Sequence, residues 1–212
     1  MSTLSNTVEA PRVPVLADLF ANTWVLNAVL VLGGALFTAL CAQIVIPMTP
    51  VPMTGQTLAV MLVGAALGWK RGMAALTLYM VLGFVLPFYA EGGSGIENIT
   101  QIGSVAGATG GYIIGFIFAA GAVGWLAERG SDRKILTAFA SFVVGQLIIF
   151  AFGLAGLKLA APELVELGFM SSSSWSTVIH DGFTIFIVGG LVKAAIGAIL
   201  MPAAWKLAER TR

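Results

Sequence analysis

The run from Gly182 to Trp205 contains a single charged side chain, Lys193. About 20 consecutive apolar residues suffice to cross a hydrocarbon layer of about 30 Å, so this run is long enough to span a membrane. A lysine so far inside such a segment is costly, and it normally faces a protein-lined cavity. Gly189 and Gly197 lie one helical turn on either side of it. The pattern predicts a cavity with a polar or anionic guest beside Lys193.

The rest of the chain is similarly apolar. Of its 212 residues, 58% are hydrophobic and only 10% are charged, and its mean hydropathy is +0.95. This balance predicts an all-α integral membrane protein rather than a soluble domain. The predicted transmembrane helices are six, at about 24–46, 54–69, 72–89, 107–128, 134–160 and 182–207. The expected domains are a tail at 1–23 without a cleaved signal peptide, a membrane domain at 24–207 and a tail at 208–212.

Charged residues alternate in sign from loop to loop. Basic residues follow the second, fourth and sixth predicted helices or lie in the first tail: Arg12, Lys70, Arg71, Arg129, Arg133, Lys134, Lys206, Arg210 and Arg212. The other loops hold acidic residues: Glu91, Glu97, Glu163, Glu166 and Asp181. Basic loops stay in the cytoplasm, so both termini are expected inside. The net charge of +1 gives no indication of nucleic-acid binding.

Two outer loops and one glycine series stand out. The loop at 47–54 is stiffened by prolines, and the loop at 90–105 is long and rich in glycine, which is typical of a segment that covers or contacts a ligand. Gly107, Gly111 and Gly115 then repeat at four-residue spacing. Such spacing lets another helix backbone or a ligand approach closely.

Four sequence blocks together resemble the BioY family. They are Val51–Val60 (VPMTGQTLAV), Pro87 and Ala90 with Gly93-Ser94-Gly95, Thr109–Tyr112 (TGGY), and Leu191–Lys193. They occur in the family's order, and the similarity extends over about 35–198. Members of this family are the biotin-specific substrate-binding components, called S components, of energy-coupling-factor (ECF) transporters.

The resemblance implies a fold, partners and a location. The fold would be the six-helix S-component fold in the cell membrane of a prokaryote. Biotin would be captured outside and delivered inward with a transmembrane coupling protein and two cytoplasmic ATPases. Ala35 and Ala39 match a small-residue patch that meets the coupling protein in the family. The resemblance implies a transport component rather than an enzyme, and no cofactor is expected. The sequence contains no phosphate-binding Gly-x-x-x-x-Gly-Lys-Ser/Thr motif, so ATP hydrolysis would come from the partners.

The resemblance also implies a ligand site. Its candidate residues are Thr54, Gln56, Tyr89, Glu91, Gly110, Gly111, Tyr112 and Lys193. The ureido ring of biotin has two N–H donors and one carbonyl, for which Gln56 offers an acceptor and a donor and Thr54 a hydroxyl. Backbone N–H groups at Gly110 and Gly111 would suit a carboxylate at a helix start. Tyr112 would stack or donate, and Tyr89 would contact the apolar part of the ligand.

One position departs from the family pattern. An aspartate usually stands three residues before the lysine, where this chain has Gly190. Lys193 would otherwise have had a neighbouring partner on its own helix face. Two hypotheses follow. Either Lys193 bonds directly to the carboxylate or ureido carbonyl of biotin, or another acid, Asp181 or Glu91, reaches it.

Alternatives from other classes are open at the level of sequence. S components share a fold but differ in ligand, so another vitamin is possible. The chain also has the elements of a rhomboid-like serine protease, namely Gly-Gly-Ser-Gly around Ser94 and a single histidine, His180. Such a protease requires a hydrogen bond between the serine and histidine side chains. His180 and Asp181 are too few for a metal site.

Overall fold

A computed structural model describes residues 15–19, 23–101 and 107–210. Arg12, Gly103, Arg212 and most of the predicted N-terminal tail lie outside these ranges. The helices are α1 (Trp24–Ala42), α2 (Gln56–Leu82), α3 (Glu97–Thr100), α4 (Gly110–Ala127), α5 (Ile135–Glu166), α6 (Trp175–Gly182) and α7 (Ile187–Arg210). Strands β1 (Val45–Ile46) and β2 (Met53–Thr54) form one small antiparallel hairpin.

Five helical segments of the described chain are long and apolar enough to cross a membrane. They are α1, α2, α4, α5 and the segment Trp175–Arg210, which contains α6 and α7. The prediction of a mainly helical chain with membrane-spanning helices is therefore confirmed. The helices predicted at 54–69 and 72–89 correspond to the single helix α2, which begins at Gln56 and ends at Leu82 rather than 89.

Helix α2 is a helical hairpin that reverses direction at Gly68. This residue has φ 81° and ψ 174°, a conformation that only glycine adopts readily. Gln56 Nε2 lies 2.5 Å from Tyr79 Oη, although in a straight helix these residues would be about 35 Å apart. A Cβ placed on Gly72 would lie 3.1 Å from the Cα of Gly64. The two halves therefore pack side by side, and the reversal precedes the predicted turn by two residues.

Other helix ends also differ from the predictions. Helix α1 ends at Ala42 rather than 46, because the chain enters the β hairpin. Helix α5 continues to Glu166 rather than 160. The last helix begins at Ile187 rather than 182, since the backbone leaves helical geometry at Phe183. Before that break lies α6, whose residues before Gly182 were predicted as part of a loop.

Glycines on α4 allow its neighbours to approach at backbone distance. A Cβ on Gly111 would lie 2.4 Å from the carbonyl oxygen of Phe152 on α5, and one on Gly124 would lie 2.5 Å from the backbone nitrogen of Trp69. Gly115 also faces α5. The predicted close approach at this glycine series is confirmed for Gly111 and Gly115, and the approaching group is a helix rather than a ligand.

Contacts between distant segments define one basic end of the protein. The Trp69 backbone N–H donates to the Glu128 carboxylate at 3.2 Å. Trp205 Nε1 donates to Asp132 Oδ2 at 2.5 Å, which joins the end of α7 to the α4–α5 connection. The basic residues at 70–71, 129–134 and 206–210 therefore share this end. The β hairpin and the beginnings of α4 and α7 lie at the opposite end.

The two alanines predicted to meet a partner face inward. Ala35 is 0% exposed and Ala39 is 7% exposed. Next to them, a Cβ on Gly34 would lie 3.0 Å from Ala75 Cβ on α2, so this face of α1 packs against the helical hairpin. In this conformation the pair packs inside the protein, and its contact with a coupling protein stays a prediction. The outward face of α1 carries larger apolar side chains such as Leu36.

Candidate ligand-binding cavity

A cavity opens at the end of the molecule opposite the basic residues. It encloses about 650 Å³ including its mouth, and its walls come from the segment 51–57, the turn at Tyr89 and Ala90, and helices α4, α5 and α7. Of the eight predicted site residues, the structure brings five to this cavity: Thr54, Gln56, Tyr89, Tyr112 and Lys193.

The polar groups from β2 and α2 are already bonded to each other. The Thr54 hydroxyl donates to Gln56 Oε1 at 2.7 Å, and Gln56 Nε2 donates to Tyr79 Oη at 2.5 Å. The Tyr79 hydroxyl in turn donates to the Phe88 carbonyl at 3.1 Å. Gln56 is only 6% exposed. This chain of bonds fixes its amide group and leaves one Nε2 hydrogen for a ligand.

Lys193 joins α7 to this polar network. Its Nζ donates to the Thr54 carbonyl at 2.5 Å and to Thr57 Oγ1 at 3.3 Å. An ammonium group has three hydrogens, so one remains for a ligand acceptor. Because α7 begins at Ile187, Lys193 lies about 9 Å along the helix, nearer to its outer end than the sequence predicted.

The hypothesis that a second acid reaches Lys193 is wrong. Asp181 Oδ1 lies 2.7 Å from His180 Nδ1 and pairs with it. Glu91 is exposed at the surface and does not line the cavity, although its neighbour Ala90 does. Among the described residues, no salt bridge to Lys193 is formed. Oxygen atoms of Thr54 and Thr57 compensate its charge instead.

Tyr112 forms part of the aromatic side of the cavity. Its hydroxyl donates to the Gly182 carbonyl at 2.8 Å, which ties α4 to α6. Its ring meets Phe150 of α5 edge to face, with the centroids 6.5 Å apart. Since the hydroxyl already has its acceptor, Tyr112 presents its ring to the cavity. Stacking, rather than donation of the hydroxyl proton, is the role that this geometry favours.

Tyr89 closes the cavity from the loop after α2. Its hydroxyl donates to the Met80 carbonyl at 2.7 Å, and its ring packs on Tyr79 with the centroids 5.9 Å apart. Burial, with a smaller effect of the Glu97 carboxylate, raises the pKa of Tyr89 to about 12. The phenol is therefore neutral at physiological pH and offers an apolar face to a ligand.

Two predicted residues at the start of α4 lie outside the cavity lining. The Gly110 N–H already donates to the Gly107 carbonyl at 3.0 Å, and Gly111 packs on α5 as described above. The lining residues from this region are Thr109, Tyr112, Ile113 and Phe116. The motif thus marks the correct helix end, but its glycines serve helix packing.

Helix α5 supplies a cavity residue that the sequence reasoning missed. Gln146 is 6% exposed and lines the cavity together with Ile149 and Phe150. A signal for it was present, because Gln146 is the only strongly polar side chain between Phe142 and Leu157 in an otherwise apolar helix. A buried amide in such a segment needs a partner or a ligand.

The elements of a serine protease are not assembled. Ser94 is exposed in a loop, and neither Ser94 nor His180 lines the cavity. The His180 side chain is 66% exposed and pairs with Asp181. Among the residues with described positions, no group of three metal-ligating side chains occurs either.

Comparisons with known proteins agree with this architecture. The protein is 31% identical over 179 residues to "Biotin transporter BioY2" of Lactococcus lactis subsp. cremoris, covering 84% of this chain and 89% of that protein. It is 33% identical over 171 residues to "Biotin transporter BioY" of Thermotoga maritima, covering 79% and 90%. Its fold matches the crystal structure of an S-component for biotin from an ECF-type ABC transporter with a TM-score of 0.68 and 19% identity, over 86% of this chain and 92% of that one.

The strongest of these findings is the agreement with a family model. The model described as "BioY family" matches residues 12–210, which is nearly the whole chain. Membership indicates a transporter substrate-binding component rather than an enzyme. On this match, and on relatives above 30% identity over most of its length, the chain belongs to the BioY family.

Proposed function

We propose that this protein captures biotin at the outer side of a prokaryotic cell membrane and delivers it inward as the S component of an ECF-type transporter. The observation that carries the proposal is the cavity of a BioY-family chain in which Lys193, Thr54 and Gln56 form one fixed polar network. It rests also on the relatives named as biotin transporters.

The chemistry of biotin suits this cavity. Its ureido ring and carboxylate need fixed hydrogen-bonding partners, and its thiophane ring and valeryl chain need apolar surface. Lys193 offers one remaining N–H to the ureido carbonyl or the carboxylate, and Gln56 offers another. Ile149 and Phe150 offer apolar contact on the opposite side. No acidic side chain lines the cavity among the described residues, so an anionic ligand meets no repulsion there.

The decisive experiment for substrate is titration calorimetry on the detergent-purified protein. Biotin, desthiobiotin, thiamin and riboflavin are titrated separately, without partner proteins or ATP. We expect saturable biotin binding at one site per chain. Binding of thiamin or riboflavin in place of biotin would retain the S-component fold and overturn the substrate.

We further propose six membrane crossings with both termini in the cytoplasm. In this arrangement the two halves of α2 cross separately, and the basic end faces the cytoplasm. The test uses the single native cysteine, Cys41, replaced by serine. New cysteines at Arg210 and Ser94 are then labelled in intact cells with an impermeant maleimide. Labelling of position 94 but not 210 is expected, and the reverse would overturn the orientation.

Energy coupling is proposed to come from partners, a transmembrane coupling protein and two ATPases. The reason is chemical, because the sequence has no phosphate-binding loop of its own. Uptake of labelled biotin by cells with and without active partner ATPases measures this dependence. Loss of concentrative uptake, with biotin binding retained, is expected when the ATPases are inactive.

A further inference from the structure

We infer that Gln146 is a specificity-determining residue whose Oε1 accepts an N–H of the ureido ring. This inference rests on the proposed binding of biotin and adds an acceptor to Gln56 Oε1, which already accepts from Thr54. Among the cavity-lining side chains that the structure describes, Gln146 Oε1 is the buried acceptor without a hydrogen-bond partner. A cyclic urea requires acceptors for its own two N–H groups, since they lose water on entering a cavity.

The Gln146 amide is half satisfied. Its Nε2 donates to the Gly190 carbonyl at 2.7 Å, across the interface between α5 and α7. Its Oε1 is buried and has no hydrogen-bond partner in the part of the chain that the structure describes. Buried amide oxygens usually have a hydrogen-bond partner, so we expect this oxygen to accept from a donor outside the chain.

The orientation of this amide is fixed by its partner. A carbonyl oxygen can only accept, so the nitrogen of Gln146 must face Gly190 and the oxygen must face away. Gly190 is what allows the contact. A Cβ at that position would lie 3.1 Å from Nε2 and 3.3 Å from Oε1 of Gln146. A side chain on residue 190 would therefore compete with the amide for the same space.

The neighbouring donor completes a urea-binding pair. Lys193 lies three residues after Gly190, so the two positions are adjacent on one face of α7. Gln146 and Lys193 both line the cavity. Gln146 has an acceptor without a partner among the described residues, and Lys193 has one N–H left. A urea presents an N–H beside its carbonyl, which is the complementary arrangement. On this assignment Lys193 bonds to the ureido carbonyl, and the carboxylate lies elsewhere in the cavity.

The experiment measures affinity with three ligands and three proteins. The ligands are biotin and the two biotins methylated at one ureido nitrogen each. The proteins are the wild type, Gln146→Met, which keeps side-chain length without hydrogen-bonding groups, and Ser141→Ala. Ser141 is a matched control, because it is polar and buried on the same helix but bonds only to Thr137 and lies outside the cavity.

We expect one methylated biotin to bind the wild type at least about tenfold more weakly than biotin. Gln146→Met is expected to lose at least about tenfold in biotin affinity and to discriminate between those two ligands less than about threefold. Ser141→Ala should behave as the wild type. Gln146→Met with unchanged biotin affinity and unchanged discrimination would overturn the inference while leaving biotin binding established. Failure of the wild type to bind biotin would overturn both.

A second variant covers the case in which Gln146→Met does not fold. Gly190→Ala retains the amide and displaces it, because the new Cβ meets its nitrogen. We expect weaker biotin binding and weaker discrimination against the same methylated ligand. Full retention of both in a folded Gly190→Ala protein would count against an ordered Gln146 acceptor.

Discussion

The two sides of the cavity are built by different means. Its polar wall (Thr54, Gln56, Thr57 and Lys193) is held by hydrogen bonds between its own members. Its apolar wall (Ile113, Phe116, Ile149 and Phe150) is held by glycine-lined packing of α4 on α5. The first can orient a ligand, since its donors have fixed directions. The second removes apolar surface from water with little directional preference. Selectivity should therefore be concentrated on the polar wall and on Gln146, the polar side chain that α5 contributes to the cavity.

Removal of the charge on the polar wall should have the largest effect. We expect Lys193→Ala to weaken biotin binding about 10- to 100-fold, because it removes a charged donor to a buried ligand. Calorimetry with biotin measures the change. Lys158→Ala is the matched control, since that lysine bonds to the Ser173 carbonyl away from the cavity. Equal losses of biotin affinity in the two variants would show that the effect comes from general destabilisation of the protein.

Removal of the Gln56 amide should have the second largest effect on biotin affinity. Gln56→Ala deletes the group that connects Thr54 to Tyr79, so a ligand donor and the order of the wall are lost together. A loss of at least about tenfold in biotin affinity is expected. Asn98→Ala serves for comparison, because the Asn98 amide bonds to backbone carbonyls of its own loop, outside the cavity lining. Unchanged affinity in both Gln56→Ala and Lys193→Ala would remove the polar wall from the binding site.

The apolar wall should respond more weakly and without selectivity. Phe150→Leu reduces contact area and keeps a hydrophobic side chain, so we expect a loss of about tenfold, the lower end of the range for a lost methylene contact. The loss should be similar for biotin and desthiobiotin, because both carry an alkyl chain that can pack against this wall. Parallel titrations of the two ligands test this. A change that affected only one ligand would show that the apolar wall also discriminates.

The smallest effect is expected outside both walls. Ser94→Ala should leave biotin affinity and uptake unchanged within about twofold, as surface substitutions usually do. The Ser94 side chain is exposed in a loop and does not belong to the polar wall. A large loss of uptake with intact binding would instead connect this loop to delivery.

The sequence predicted those features of the protein that depend on the length of its apolar segments and on the positions of its charges. Apolar length identified the membrane helices, and the isolated Lys193 identified the cavity. The reversal in α2 was placed two residues late, because the charged pair at Lys70 and Arg71 suggested a loop there. The backbone reverses at Gly68, where the positive φ is possible.

Site residues were predicted less completely, for a physical reason. Motif positions at Gly110 and Gly111 carry no side chain, so a sequence cannot distinguish packing against α5 from contact with a ligand. Gln146 belongs to no matched block, and its importance depends on the distance between α5 and α7. The burial of Ala35 and Ala39 depends likewise on which face of α1 meets α2.

The reversal at Gly68 also sets the distance between the cavity wall and the basic end of the protein. From Gln56 to Gly68 the first half of α2 rises about 18 Å, whereas the hydrocarbon layer is about 30 Å thick. With Gln56 in the cavity wall and Gly68 at the basic end, the cavity lies closer to that end than the thickness of a full membrane.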